Sequence, residues 1–385
     1  MDNALQLLKQ LVAVDSVNPS LVPGAAGEAA VGRTSSEAMR QMGLAVEIQD
    51  VAPGRPNVVG TLQGRAAGRS LMFCGHIDTV GVTAMNAPFD PVEKDGRIYG
   101  RGSQDMKSGI AAMIDAAGVI AESGGLAAGS IVIACVVDEE HASIGADALV
   151  TRWRADGAVV TEPTDLQVAI AHKGFEWVEV ETEGRAAHGS RPREGRDAIR
   201  LMARVLMGLD AVDRRLQSGA SHPLLGTASL HASLIEGGRE LSSYPDRCHL
   251  QMERRTIPGE APGAALREVE DLLARLRVED ADFKGACKSM FARTPYEIAA
   301  DHELPQEMLR ALGTLGTVAP SHPRTAAPIG MSFWTDAAIL GDAGIPSILF
   351  GPTGAGLHSV EEWVDAQSVL TCRDALVALA RGFCR

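Results

Sequence analysis

Three short strings in the first half of the chain carry side chains able to hold metal ions. They are CGHIDTV with His76 and Asp78, GRGSQDMKSG with Asp105, and VVDEEHAS with Glu139 and Glu140. TEPT adds Glu162, and GLHSVEEW adds His358 far downstream. Five His or carboxylate ligands suffice for two divalent cations bridged by one carboxylate, and a sixth acid beside a ligand could serve as a base.

Each group also has a blander reading. His76 and Asp78 stand two apart at the end of an apolar run, so on a strand their side chains leave by one face. A carboxylate placed there can accept the second N–H of an imidazole ligand and fix its tautomer; two polar residues in a solvated loop would look the same. Asp105 stands between Gly-rich turns and an apolar helical run, where Asp often caps a helix. A carboxylate between two cations fits the same position. Glu139 and Glu140 form an acidic strand end that needs either solvent or cations. If cations are there, one Glu can bind metal while its neighbour takes a proton from water whose pKa the metal has lowered to about 7. His358 follows the apolar run IPSILF and a Gly-rich turn. It fills the remaining ligand place, whereas His222, His302 and His322 stand in polar or turn-like stretches and read as incidental.

The elements that would position these groups alternate. A helical LQLLKQLVAVDS precedes the strand-like LAVEIQDV, NVVGTLQG and SLMFCGHID; helical SGIAAMIDAAGVIAES then leads to IVIACVVDEE and GAVVTE. Strands separated by helices imply a parallel or mixed sheet covered on both faces, with ligands at the carboxyl ends of the strands. His76, Asp78, Glu139, Glu140 and Glu162 all lie just past such runs. From about 173 to 293 the order changes to β-α-β-β-α-β, a split βαβ module inserted into the first domain. The predicted organisation is therefore 1–172 and 294–385 as one catalytic domain, with 173–293 as the insert.

Length and composition allow two domains with an ordinary core: 385 residues, 45% hydrophobic. A net charge of −13 argues against nucleic acid or an anionic membrane as partner. The six cysteines show no CxxC pairing, no run is long and apolar enough to span a membrane, and the amino-terminal segment reads as an amphipathic helix rather than a secretion signal. A reduced, cytoplasmic protein is the expectation.

Taken in order, GHIDTV, GRGSQDMKSG, DEE, TEPT, HKG, GRAAHGSRPREGRDAI, RRTIPGE and GLHSVEEWV resemble the di-zinc amidohydrolases typified by acetylornithine deacetylase, succinyl-diaminopimelate desuccinylase, aminoacylase and glutamate carboxypeptidase. The resemblance covers nearly the whole chain. It implies a zinc-peptidase-like α/β/α catalytic domain with a mixed sheet and an inserted ferredoxin-like βαββαβ lid or dimerisation domain. It implies His76, Asp105 and Glu162 on one zinc, and Asp105, Glu140 and His358 on the other. Asp78 would orient His76, Glu139 would be the general base, and the Asp105–Met106 peptide would be cis. His188 matches a lid histidine that reaches the scissile carbonyl, often across a dimer interface, and Arg255 matches the arginine that pairs with a substrate carboxylate. Where relatives carry Asn four residues after a Gly-Gly pair, this chain has Ser242, a single hydroxyl in place of an amide. The reaction class carries over; the acetylornithine or diaminopimelate substrate does not.

The resulting expectation is hydrolysis of an amide next to a free carboxylate, in an N-acyl amino acid or at a peptide C-terminus. Two divalent ions, zinc or in its place cobalt or manganese, would polarise the carbonyl and supply hydroxide, with the protein a homodimer through its insert. The alternative on the same scaffold is an aminopeptidase or dipeptidase. An inactive binding protein would be expected to lack a ligand or the base, and none is missing.

Overall fold

The runs SLMFCGH and SIVIACV have almost no polar side chain to offer water, and each is buried along nearly its whole length. In the computed structural model, which describes residues 2–315 and 327–385, they form neighbouring parallel strands, Ser70–His76 and Ser130–Val136. His322 lies outside the described residues. Gly157–Val160 runs parallel on the other side of Ser70–His76, and Ser347–Leu349 lies parallel beyond it. At the opposite edge Arg55–Gln63 pairs antiparallel with Ser130–Val136 and with Ala45–Ala52. The sheet is mixed.

Side-chain alternation along Arg55–Gln63 shows that both faces are covered. A Cβ at Gly60 would meet Met39 of helix Ala29–Gln41, while Asn57 turns the other way and donates from Nδ2 to Gly145 O at 2.8 Å, in helix Ile144–Arg152. Helix Lys107–Glu122 is buried on almost every side and packs against Asn3–Val12 and Ala366–Phe383. A small antiparallel sheet joins Val92–Lys94, Arg97–Tyr99, Trp363–Asp365 and Gly354–Ala355. All these elements belong to one compact unit, Met1–Ile170 with Ile298–Ile329 and Thr335–Arg385.

The second unit is Ala171–Glu297 with Gly330–Trp334. Its four long strands lie in the order Ser229–Gly237, Arg247–Thr256, Gly174–Glu183, Gly285–Arg293, all antiparallel. Helices Ala198–Gln217 and Ala264–Glu279 cover one face, meeting Val178, Val180, Leu250 and Met252. This is the ferredoxin-like βαββαβ order, with one short extra hairpin, Ser221–His222 against Gly226–Thr227. The other face carries Phe175, Trp177 and Phe291, whose ring centroids lie 5.3 to 5.9 Å apart. Among the described residues no helix is long and apolar enough to cross a membrane, and all six cysteines are free.

Candidate metal centre

Register brings the acidic groups together. Val136 lies opposite His76 on parallel strands, so the turn that follows it, Asp138 to Glu140, leaves the sheet at the same end as His76. Gly157–Val160 flanks the other side and runs on through Thr161 to Glu162. Asp105 stands just before helix Lys107–Glu122, and its peptide to Met106 is cis. His358 sits in the hairpin between Gly354–Ala355 and Trp363–Asp365, with a left-handed φ of 56°.

Asp105 is the hub. Its Oδ1 lies 3.1 Å from His76 Nε2, and its Oδ2 lies 3.4 Å from His358 Nε2. Around His76 Nε2 stand Glu162 Oε1 at 3.8 Å and Glu139 Oε2 at 3.9 Å. Around His358 Nε2 stands Glu140 Oε2 at 3.1 Å. The acids and His76 are largely buried; the His358 side chain is 55% exposed and marks the open side.

Electrostatics follow from that burial. Desolvation pushes the Glu139 carboxyl well above the carboxylate range; the His76 imidazole opposes it, and Glu162, Asp336 and Glu140 add to it. Glu162 is raised in the same way, with Asp105 among its neighbours. Burial also acts to raise Asp105, but the hydrogen bonds from His358 and His76 outweigh it and hold the carboxyl below its usual range. The same contacts to Asp105 and Glu140 push His358 up to about 10. Among the described residues the ion-pair partners of these four carboxylates are His76 and His358, with no lysine or arginine. Buried acids in such excess are stable together only when protonated or when cations sit between them. Two overlapping groupings, which share His76, have ligand atoms close enough to hold an ion: His76 with Glu139 and Glu162, and His76 with Asp105 and Glu140. The donor set fits divalent cations bound by nitrogen and oxygen.

Asp78 differs from the simplest expectation. His76 Nδ1 lies 3.0 Å from the backbone oxygen of Asp78 and 3.6 Å from its carboxylate, so the nearer acceptor is the main chain. The carboxylate is occupied elsewhere. It accepts from Asn18 Nδ2 at 2.7 Å and from the amides of Glu139 and Glu140 at 3.1 and 3.2 Å. One residue thus orients the imidazole by its carbonyl and the acidic turn by its side chain. Asn18 also donates to Asp138, which pairs with Arg55 at 2.7 Å, and Arg55 pairs in turn with buried Glu28. None of Asn18, Glu28 or Arg55 was singled out from sequence. Asp336, buried and close enough to bear on Glu139 and Glu162, was also missed.

Three site residues expected from sequence lie in the second unit. His188 is exposed and sits in a loop bridged to Ser243, with Gly189 N donating to Ser242 O at 2.7 Å, so His188 and Ser242 are neighbours. Arg255 projects over the Phe175 ring, 5.5 Å from its centroid, opposite in direction to buried Arg254, which pairs with Glu260 and Glu268. Arg255 is not free of partners: its Nε donates to Glu253 Oε1 at 2.7 Å, and Glu253 Oε2 accepts from Trp177 Nε1 at 2.9 Å.

Largely buried carboxylates and His76, faced by the half-exposed His358, gather beyond the carboxyl ends of parallel strands in an α/β unit with a ferredoxin-like insert, the arrangement of a metal-dependent hydrolase. Residues 72–382 match the model of peptidase family M20/M25/M40, and the chain belongs to that family. It is 29% identical to N-formyl-4-amino-5-aminomethyl-2-methylpyrimidine deformylase of Bacillus subtilis (strain 168), over 86% of this chain and 84% of the relative. It is 28% identical to acetylornithine deacetylase of Proteus mirabilis (strain HI4320), over 99% and 96%. Among solved structures, aminopeptidase PepT from Bacillus cereus ATCC 10987 shares the fold, with a TM-score of 0.80 at 19% identity, over 100% of this chain and 98% of that one.

Proposed function

We propose that the protein hydrolyses an amide bond adjacent to a free carboxylate, in an N-acyl amino acid or at a peptide C-terminus, using two divalent cations. The observation that carries this reading is Asp105, whose two oxygens each face a different imidazole. His76, Asp105 and Glu162 would hold one ion, and Asp105, Glu140 and His358 the other; zinc suits these donors, and cobalt or manganese could replace it. When bound, such a pair polarises an amide carbonyl and lowers the pKa of water to about 7. Glu139, buried beside these groups, takes the proton of the attacking water. As the C–O bond forms and the C–N bond breaks, it delivers that proton to the leaving amine. His188 would donate to the developing oxyanion, with the Ser242 hydroxyl beside it, and Arg255 would bind the substrate carboxylate.

The insert supports a homodimer in this reading. His188 and Ser242 lie by the Arg247 end of strand Arg247–Thr256, whereas Arg255 is at its far end, about 26 Å along an extended chain. One small substrate cannot touch both from a single chain, so the His188 that serves a given substrate belongs to a second copy. Six free cysteines accord with a cytoplasmic location.

Glu253 favours a second reading. Because it already pairs with Arg255, a substrate carboxylate meets a guanidinium whose Nε is taken by another carboxylate. An amide without that carboxylate, such as a formamide of the kind named for the Bacillus subtilis relative or a peptide with a free amine, would not need it. Product release from a mixed panel with zinc- or cobalt-loaded protein decides. N-acetyl, N-succinyl and N-aromatic-acyl amino acids, C-terminal glutamate and aromatic peptides, dipeptides, and formylated amines would be compared. Cleavage restricted to amides flanked by a carboxylate is the expected result. Turnover only of free-amine or carboxylate-free members would transfer the chain to the second reading.

A further inference from the structure

The string GLHSVEEW contains a second acid whose role the metal reading leaves open. Glu362 is buried and accepts four hydrogen bonds. Its Oε1 takes the amides of Gln104 at 2.8 Å and Asp105 at 3.0 Å; its Oε2 takes Gly102 N at 3.0 Å and Arg101 Nη1 at 2.6 Å. Glu362 therefore grips the loop that presents Asp105, including the amide of Asp105 itself. Arg101, equally buried, extends the grip in two directions through Nη2, which donates to Ser359 O at 2.9 Å and to Gly81 O at 3.1 Å. Ser359 adjoins His358, and Gly81 closes the loop that begins at His76 and Asp78. The strands that carry these loops are already paired, Trp363 opposite Tyr99, with Arg97 stacked 3.8 Å over the Trp363 ring.

A buried ion pair adds little net stability over an apolar pair of the same volume. What this one supplies is fixed geometry, because each Glu362 oxygen is committed to backbone amides and Arg101 Nη2 to two backbone carbonyls, while Arg101 Nη1 ties the two side chains together. We propose that Glu362 and Arg101 are positioning residues that couple the two metal positions, Glu362 by fixing the Asp105 loop that both share and Arg101 by tying that loop to the His358 hairpin. The inference rests on the two-cation reading above. It goes beyond it in assigning the coupling to two side chains that touch neither ion.

The two residues have different consequences. In Glu362→Gln an amide NH2 must face donors that the carboxylate accepted, which releases the Asp105 loop and loosens both ions. Arg101→Lys keeps the charge opposite Glu362 but cannot reach Glu362, Ser359 and Gly81 at once, which loosens the ion held by His358 and spares the other. The test is zinc titration of chelator-stripped full-length protein against a competing chromophoric chelator, alongside thermal unfolding of the stripped form. Wild type should take up two equivalents; fewer would fail the two-cation reading itself. Given two, Glu362→Gln should weaken both by about tenfold or more, and Arg101→Lys one of them by a similar factor, as for other residues that orient metal ligands. In a His358→Ala background Arg101→Lys should cause no additional loss. Two equivalents bound by both variants with wild-type affinity would overturn the proposal, even if the stripped proteins melted earlier. If Glu362→Gln does not fold, Arg101→Lys with its His358→Ala cycle still decides.

Discussion

Glu139 and Glu140 are adjacent in the chain, yet their surroundings separate them. Glu140 lies 3.1 Å from His358, while Glu139 faces His76 at 3.9 Å, and the Asp78 carboxylate holds the amides of both. In the proposed reaction the two neighbouring acids would divide the work, Glu140 as a metal ligand and Glu139 as the proton carrier. Glu139→Gln removes the basic oxygen with little change in volume. It is expected to lower kcat by about 10² to 10⁴ while leaving two zinc equivalents bound. Steady-state rates and metal analysis of the same preparation check this, and a rate near wild type would remove Glu139 from the chemistry. At this scale the residues legible in the sequence were those in short polar strings after apolar runs: His76, Asp105, the Glu pair and Glu162. Their supports were not legible, because each is an unremarkable residue until its partner is known. Arg101 meets Glu362 across 261 positions, and Arg55 meets Glu28 across 27, with no local pattern marking either. Asp78 was read for its carboxylate, and the structure gives its carbonyl the closer contact with His76.

The strands and helices that deliver the site differ in how clearly the sequence marks them. Ser70–His76, Ser130–Val136 and helix Ala198–Gln217 are long enough for an apolar run or a 3.6-residue period to appear. Helix Ala29–Gln41 buries Gly32, Ser35 and Ser36 as well as Val31 and Met39, so its inner face is not apolar in sequence. The small sheet under His358 is built of strands of two or three residues, too short for alternation to show. Helix Lys107–Glu122 imposes a tighter requirement than its pattern suggests. A Cβ on Gly109 would lie 2.1 Å from Thr161 O, so this helix approaches the strand that leads to Glu162 more closely than any side chain allows. Gly109→Ala must push the two elements apart, moving Asp105 at the head of one relative to Glu162 at the end of the other. A loss of about 1–3 kcal/mol in urea unfolding is expected, together with weaker zinc binding. Stability within about 0.5 kcal/mol of wild type would show that the contact relaxes without cost.

For the molecule as a whole, the inserted unit raises the question of how many chains make one active site. Within that unit His188 and Ser242 share one end of the sheet through their loops, and Arg255 lies at the other end beside Phe175 and Glu253. The strand between them is paired on both sides, from Arg247 opposite Glu183 to Thr256 opposite Gly174, so the sheet itself holds the two ends apart. If both ends serve catalysis, they serve different substrates, and a closed two-fold dimer is the simplest assembly that gives each substrate both. Two variants separate this from a self-sufficient chain. In that assembly Glu139→Ala would remove the base from its own metal centre, and His188→Ala the donor lent to the partner; each alone should be inactive. Co-refolded in equal amounts, half of the dimers would be mixed, and each mixed dimer would hold one complete site. About a quarter of wild-type activity should return, in proportion to the mixed species seen by tagged co-purification. Mixed dimers that form and remain inactive would mean that His188 acts within its own chain, and Arg255 would then have to give up its substrate.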